Sequence, residues 1–309
     1  MIDMSNDSDL FRTRVRLEAG GWTLDGNAFH RGDETILPLC GAKMVHHFDH
    51  RWATYDGDDV RDVTEAEHAD PDVTVLPRYW VPEAEVAGRW RHDWLLGFRN
   101  VCRATDERTV ICSTFPLSGV GNSMPLVVCS SPAQLLAAAL TSIAADFVVR
   151  QKLGGTNLNF FYVEQLPVPR PGTFAERCPW TPAQSLQDWI EDRVDKLVFT
   201  AWDMAPAALV LGDDSPPFVW NPNRRAVPRA ELDAAILHPY GIDRDDVDYI
   251  LGTFPIGNRN DLKVHGEERT RRLVLDAYDR IAAAVATSEP FVATLDPPPG
   301  DGPRHQEPT

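Results

Sequence analysis

The sequence predicts an α+β protein in which a mixed β/α domain is followed by a helical, acidic domain. Short β-branched and aromatic runs between glycine, proline and serine turns dominate the first 172 residues, a pattern typical of strands. Beyond that point apolar residues recur at helical spacing, as in Leu186, Trp189, Ile190 and Val194. The 309 residues are 43% hydrophobic and 25% charged, which is ordinary globular composition.

This pattern divides the chain into four regions. We predict N-terminal β elements over 1–40, a mixed β/α core over 41–172 and a helical C-terminal domain over 173–290. Residues 291–309 are poor in apolar side chains and are predicted to be a disordered tail. No apolar run is long enough to span a membrane and no secretory leader is present, so we expect a cytoplasmic protein. The five scattered cysteines indicate neither a zinc site nor a disulfide framework.

The strands of the first 172 residues are predicted from β-branched and aromatic runs that lie between turn signals. A stretch of polar, acidic residues over 56–72 interrupts them and predicts an exposed loop. The predicted strands cover 15–17, 22–24, 35–38, 94–99, 109–115, 126–129 and 160–163.

One apolar helix is predicted within the first 172 residues, over about 135–149. It begins at Ser131-Pro132, because serine caps helices and proline suits the first turn. It ends at Arg150-Gln151-Lys152 before Gly154-Gly155, because cations and glycine both favour a helix C-terminus. In the helical domain, apolar residues three and four apart predict helices within 181–211 and over 228–238, 243–252 and 266–286.

The net charge of −16 is unevenly distributed along the chain. Residues 55–85 carry two Lys/Arg against ten Asp/Glu, whereas residues 86–170 carry eight Lys/Arg against five Asp/Glu, a net charge of +3. Because salt screens charges beyond about 8–10 Å, a local basic block can bind a polyanion within an acidic chain. The overall charge therefore does not exclude nucleic acid as a partner.

Catalytic and cofactor motifs fail their structural tests. Gly119-Val120-Gly121 leads to a predicted strand and not to the helix that a nucleotide-binding loop opens. Asp296-Pro297-Pro298 lacks both the preceding strand and the aromatic residue of a catalytic methyltransferase loop. His46, His47 and His50 could offer a metal pair, but no His-Glu-x-x-His motif accompanies them. We expect no catalytic residue, cofactor or metal in this chain.

Several short sequence motifs, called words below, occur in a characteristic order over residues 35–285. They are LPLCGAKMVHHFDHR at 37–51, GFRNV at 97–101, ATDERT at 104–109, GVGN at 119–122, DFVVRQKLGGTNLN at 146–159, QLP at 165–167, ELDA at 231–234, YGI at 240–242, YIL at 249–251 and RT at 269–270. As an ordered set they resemble the C-terminal portion of the large adenine-specific DNA methyltransferases of type II restriction-modification and phage-exclusion systems.

The resemblance implies a role in DNA recognition without catalysis, with residues 41–172 as the DNA target-recognition core of a target-recognition domain. In that family a methyltransferase domain binds S-adenosylmethionine and methylates adenine N6, and the part resembled here follows it and includes the target-recognition region. This chain lacks the cofactor loop and the Asn-Pro-Pro-aromatic loop, so S-adenosylmethionine would bind a methyltransferase domain outside it. The expected partners are double-stranded DNA and a separate methyltransferase or defence-complex subunit.

Candidate DNA-binding residues come from the polar and basic positions of these words. Arginine and lysine pair with phosphates or with guanine, and asparagine pairs with adenine. Paired glycines allow the backbone to approach a phosphate. The candidates are Lys43, His47, Arg51, Arg99, Asn122, Arg150, Lys152, Gly155, Thr156 and Asn157.

Each candidate group also has a structural alternative. Gly154-Gly155 also suits a plain helix stop, and Arg150 and Lys152 also suit the negative end of a helix dipole. Lys43, His47 and Arg51 also suit a hydrogen-bonded cluster beneath a loop. For the whole chain, the alternatives are a protein-interaction subunit of a defence complex that reads no DNA, and a truncated, inactive reading frame.

Overall fold

The computed structural model describes residues 2, 6–87, 90, 92–129 and 132–307. Helices hold 44% of the chain and strands 16%, and the strands pair mainly antiparallel, so the predicted α+β class is confirmed. The predicted helix start at Ser131 lies outside the described residues. Pro132 occupies the N-cap position there, and the helix itself begins at Ala133.

The strands form one larger sheet and two hairpin-like pairs within the described ranges. In the larger sheet β1, β2, β3 and β6 follow one another antiparallel, and β9 pairs parallel with the end of β3. Strand β4 pairs with β5, and β7 pairs with β8. The strands are β1 (Thr23–Asp25), β2 (Ala28–Arg31), β3 (Glu34–Cys40), β4 (Ala53–Asp56), β5 (Asp59–Asp62), β6 (Trp80–Pro82), β7 (Trp94–Phe98), β8 (Cys112–Pro116) and β9 (Gly119–Val120).

The helices concentrate in the second half of the chain, where α9 and α12 pack together and α7 lies against α9. Short 3-10 turns lie at Ser8–Leu10, Ala42–Met44, Glu83–Glu85, Trp202–Met204, His238–Tyr240 and Pro299–Asp301. The α-helices are α1 (Arg14–Ala19), α2 (Glu65–Ala69), α3 (Ala133–Thr141), α4 (Ile143–Lys152), α5 (Phe160–Val163), α6 (Pro171–Ala175), α7 (Leu186–Val198), α8 (Ala205–Val210), α9 (Pro222–Leu237), α10 (Arg244–Gly252), α11 (Pro255–His265) and α12 (Arg269–Thr287).

Some short β-branched or aromatic runs fold differently from their prediction. Residues 15–17 lie in helix α1, where Thr13 caps the first turn by accepting a hydrogen bond from the Arg16 amide. Residues 160–163 form the single turn α5, and residues 126–129 make only an isolated bridge to Gly97. In runs this short, capping and tertiary contacts outweigh strand propensity.

The acidic segment 56–72 is more ordered than the predicted loop. It contains the second strand of the β4–β5 hairpin and the helix α2. A capping box starts this helix, because the Thr64 hydroxyl accepts from the Glu67 amide while the Glu67 carboxylate accepts from the Thr64 amide. The acidic residues are therefore compatible with local structure through capping and turn chemistry.

The predicted apolar helix is two helices that meet at Ser142 with a bend of 59°. The Ser142 hydroxyl caps α4 by accepting a hydrogen bond from the Ala145 amide. Thr141 donates its own hydroxyl back to the Ala137 carbonyl. These side-chain bonds compete with the helical ladder and explain the break.

One hydrophobic core crosses the predicted boundary at residue 172. It runs from Phe48 and β7 through α3 to the buried faces of α7, α9 and α12. Residue 172 therefore marks a change from strand-like to helical sequence pattern and does not separate two hydrophobic cores.

The C-terminal segment is ordered up to residue 307, and the prediction of a disordered tail is wrong for that part. The Phe291 amide donates to the Trp180 carbonyl at 2.7 Å, and the His305 amide donates to the Pro217 carbonyl at 2.9 Å. Arg304 forms an ion pair with Asp213 and lies over the Phe218 ring. Backbone hydrogen bonds and a cation–π contact order this segment, although it contains few apolar side chains.

Within the described part of the chain, no single helix is both long and apolar enough to span a bilayer. Helices α3 and α4 would pass the same test if joined, but most of their residues are buried in the core.

Candidate nucleic-acid interface

Residues 100–102, which follow β7, bring together two segments that are distant along the chain. The Asn100 amide donates to the Ser123 carbonyl at 3.0 Å, and the Asn100 carbonyl accepts from the Leu158 amide at 2.7 Å. The Cys102 amide donates to the Thr156 carbonyl at 3.1 Å. Residues 121–124 and 152–163 therefore lie side by side along residues 100–102.

The Arg99 side chain attaches a fourth segment. Its guanidinium donates from Nε to the Val45 carbonyl at 2.8 Å and contacts the Lys43 carbonyl at 3.5 Å. Burial lowers the pKa of Arg99, and the charge of Asp106 opposes that shift. Arg99 is thus a structural tie that positions Lys43, because its donors are directed at backbone carbonyls.

We call these four segments together, residues 41–45, 99–103, 121–124 and 152–163, the 99–103 surface. They contain four cationic side chains, Lys43, Arg99, Arg103 and Lys152, and no aspartate or glutamate. Lys43, Arg103 and Lys152 are exposed. In a chain with a net charge of −16, this is a local surface that attracts anions.

Six of the ten predicted residues are exposed on the 99–103 surface, and Arg99 supports it from beneath. An isolated β-bridge joins Asn157 to Val101, and it places the residues on either side of Asn157 beside the segment that follows β7. The Gly154 and Gly155 positions have open space where a side chain would stand, so an approaching group meets backbone there. The exposed six are Lys43, Asn122, Lys152, Gly155, Thr156 and Asn157.

His47 and Arg51 do not lie on a surface, so their predicted contacts with DNA are wrong for this structure. His47 is 2% exposed, and its Nε2 bonds the Val110 carbonyl at 2.7 Å. Burial lowers the pKa of His47 well below its ordinary value, so the ring is neutral near pH 7. Arg51 is fully buried and donates to four backbone carbonyls.

Arg150 is likewise committed inside the protein and does not face solvent as predicted. Its Nε donates to the Asp146 carboxylate at 3.1 Å, and its other donors reach the carbonyls of Asp106 and Glu107. The guanidinium also lies 4.1 Å from the centre of the Phe254 ring. With a side chain only 8% exposed, Arg150 ties α4 to residues 106 and 107 and is not available to a ligand.

Sequence reasoning missed two groups of residues on this surface. Arg103 is exposed between two of the resemblance words, and the sequence signal that could have found it is the absence of carboxylates over 94–105. Val101, Phe160 and Phe161 are also exposed, by 63%, 49% and 50%. The two phenylalanines were assigned to a strand, whose alternation would have buried one of them.

A buried network behind the surface joins residues 46–73 to the helical part. The Asp49 carboxylate accepts from the Arg51 amide at 2.9 Å and from the His68 ring at 3.3 Å. His50 bonds the Asp203 carboxylate at 2.8 Å. His68 stacks on Trp220 with ring centres 3.9 Å apart. These contacts use the charged and aromatic side chains that the sequence concentrates near residue 50.

This network predicts a specific acid sensitivity. Burial alone would raise the pKa of Asp49, but the His68 hydrogen bond and the charge of Arg225 outweigh it and lower the pKa to about 2. The ionised carboxylate therefore stabilises the fold above pH 4, by about 2 kcal/mol, and this contribution is lost as the pH falls from about 4 to 2. We expect Asp49→Asn to be less stable than wild type at pH 7 by this amount.

Urea unfolding of both proteins between pH 7 and pH 2.5 measures the effect. The difference in free energy of unfolding should shrink below about pH 4, because Asp49 of the unfolded wild-type chain becomes protonated there while in the folded protein its pKa is about 2. A difference that stays constant over this range would contradict the prediction. The exposed Asp58, paired with Arg78, provides an Asp58→Asn control that should change little at any pH.

The comparisons with known proteins bring no relative to this chain. A scan against protein-family models finds no match, and searches of the curated proteins and of the solved structures find none.

Proposed function

We propose that this chain is a DNA sequence-recognition segment that serves adenine-specific methylation and works with a methyltransferase part outside it. The observation that carries the proposal is the 99–103 surface, where the exposed cations Lys43, Arg103 and Lys152 come from segments that are distant along the chain and contain no aspartate or glutamate. The resemblance to target-recognition portions of adenine methyltransferases supports the same function.

The chemistry of the surface suits a division between holding and reading DNA. Lys43, Arg103 and Lys152 are exposed cations that can pair with phosphates. Asn122 and Asn157 carry amides that can form paired hydrogen bonds with an adenine edge. In this proposal the lysines and Arg103 supply affinity, and the asparagines supply part of the sequence preference.

The salt dependence of binding tests this function. Fluorescence anisotropy with labelled duplex should show binding that weakens steeply between 50 and 200 mM salt. Each phosphate-bound lysine contributes about 1 to the slope of log K against log salt, so Lys43→Gln with Lys152→Gln should reduce that slope by about 2. At moderate salt we expect roughly a tenfold to hundredfold weaker affinity.

Lys263→Gln is the matched control, because Lys263 is an exposed lysine on α11 that belongs to none of the four segments of the surface. It should leave both the affinity and the slope unchanged. Arg150 is unsuitable for such a test, since its charge reversal would place a carboxylate beside the buried Asp146. Duplex binding that is undetectable at low salt, with and without a methyltransferase partner, would refute DNA recognition and favour a protein-interaction subunit.

A further inference from the structure

Two neighbouring aromatic rings remain exposed at one end of the 99–103 surface. Phe160 and Phe161 are 49% and 50% exposed, although apolar rings of this size are usually buried. Both lie in the segment 152–163, which carries Lys152 and no acidic residue. Val101, which is 63% exposed, adds apolar area on the same surface. The solvent-facing aromatic area thus belongs to the surface that attracts anions.

The rings are held from below and are not loose loop side chains. Phe160 meets the buried Phe98 edge to face, with ring centres 6.1 Å apart. Phe161 packs against Tyr162 at 4.1 Å, and the Gln165 side chain donates to the Phe161 carbonyl at 2.8 Å. A rigid, half-exposed ring loses little conformational freedom when a flat partner covers it.

The charge around the rings favours a nucleic acid over an apolar protein segment as the partner. Exposed cations from 99–103 and from the end of α4 share the surface, and the carboxylates that adjoin it, those of Asp106 and Glu164, lie outside its four segments. Single-stranded nucleic acid combines the two matching chemistries, because its phosphates pair with cations and its unpaired bases stack on aromatic rings. In an intact duplex the bases are already stacked on one another, and their faces are not accessible.

We infer that Phe160 and Phe161 form a stacking platform for unpaired bases of a DNA strand whose backbone runs along the cations of the 99–103 surface. This inference rests on the proposed function and names the form of DNA that the surface prefers. The surface then binds DNA with exposed bases more tightly than the fully paired duplex of the same sequence.

The experiment compares two labelled DNAs that differ only in pairing. One is a blunt duplex, and the other is the same duplex with a short single-stranded gap in its centre. The wild-type chain should bind the gapped DNA about tenfold more tightly, which is the size expected for one stacked base. Phe161→Ala and Phe160→Ala should each reduce this preference and leave blunt-duplex binding nearly unchanged.

Two further variants separate stacking from folding and from general apolar contact. Phe161→Trp should keep the preference, because it retains an aromatic face. Tyr249→Ala, at an aromatic residue that is 66% exposed on α10, should have no effect on either DNA. Thermal unfolding of each variant verifies that the fold is intact, and Phe161 provides the test if removing Phe160 from Phe98 unfolds the protein.

The outcomes distinguish this inference from the function beneath it. Salt-sensitive binding with equal affinity for both DNAs would overturn the stacking platform and leave DNA recognition standing. No binding to either DNA would overturn the proposed function itself. If the alanine variants changed only the association state of the chain, measured by sedimentation, the rings would be a protein contact and the inference would be wrong.

Discussion

Replacing Arg51 with methionine is expected to lower the free energy of unfolding by about 3–5 kcal/mol, because it leaves buried carbonyls without donors. The Arg51 guanidinium donates to the carbonyls of Asp70, Val73, His68 and Thr200 at 2.8–3.1 Å. The bond to Thr200 spans 149 residues and attaches the N-terminal half to the helical half. Methionine has a similar length but donates no hydrogen bond, so the chain loses this tie.

Urea unfolding followed by circular dichroism measures the loss. Arg61→Met is the matched control, because Arg61 has a half-exposed side chain and pairs with Glu67. An exposed ion pair contributes about 1 kcal/mol or less, so the control should remain close to wild type. Equal stability of the two variants would show that the four carbonyl bonds of Arg51 contribute little. A stable Arg51→Met protein with impaired DNA binding would return Arg51 to the list of DNA contacts.

Replacing Asp146 with asparagine is expected to cost about 3–5 kcal/mol, because it leaves two buried guanidinium groups without a counter-charge. The Asp146 carboxylate is fully buried and accepts from Arg108 at 2.7 Å and from Arg150 at 3.1 Å. It also accepts from the Thr109 amide at 3.0 Å. Asparagine keeps the shape of the side chain but removes its charge, so the predicted loss is mainly electrostatic.

Asp279→Asn provides the comparison, because Asp279 pairs with Arg244 at 3.2 Å while both side chains are about half exposed. Thermal unfolding should show a large decrease in Tm for Asp146→Asn and almost none for the control. An unchanged Tm would mean that the ion pair is replaced without cost.

Where a helical pattern extends over several turns, it predicts the fold well. The helical spacing over 243–252 and 266–286 matches α10 and α12 closely, and the shorter runs over 35–38 and 94–99 lie in β3 and β7. In α10 the residues at this spacing, Val247, Ile250 and Leu251, form the buried face. The turn α5, the break at Ser142 and the ordered C-terminal segment depend on capping bonds and on distant contacts, which periodicity does not record.

The candidate site was predictable in its segments but not in the role of each cation. The words around residues 43, 99, 122 and 152–157 do converge, and six of the ten predicted residues are exposed together. His47, Arg51 and Arg150 lie in the same words and are buried. The sequence alone does not show whether the side chain of a basic residue contacts a phosphate or a backbone carbonyl.

The sequence by itself determined the α+β class, the acidic chain with a basic central block and the four acid-free segments that form the 99–103 surface. These properties depend on composition and on neighbouring residues. Only the tertiary structure decided which cations remain available to a ligand, since the partners of Arg51 and Arg150 lie up to 149 residues away. A buried cation needs such partners to offset its lost hydration, and their distance along the chain hides them from any reading of local pattern.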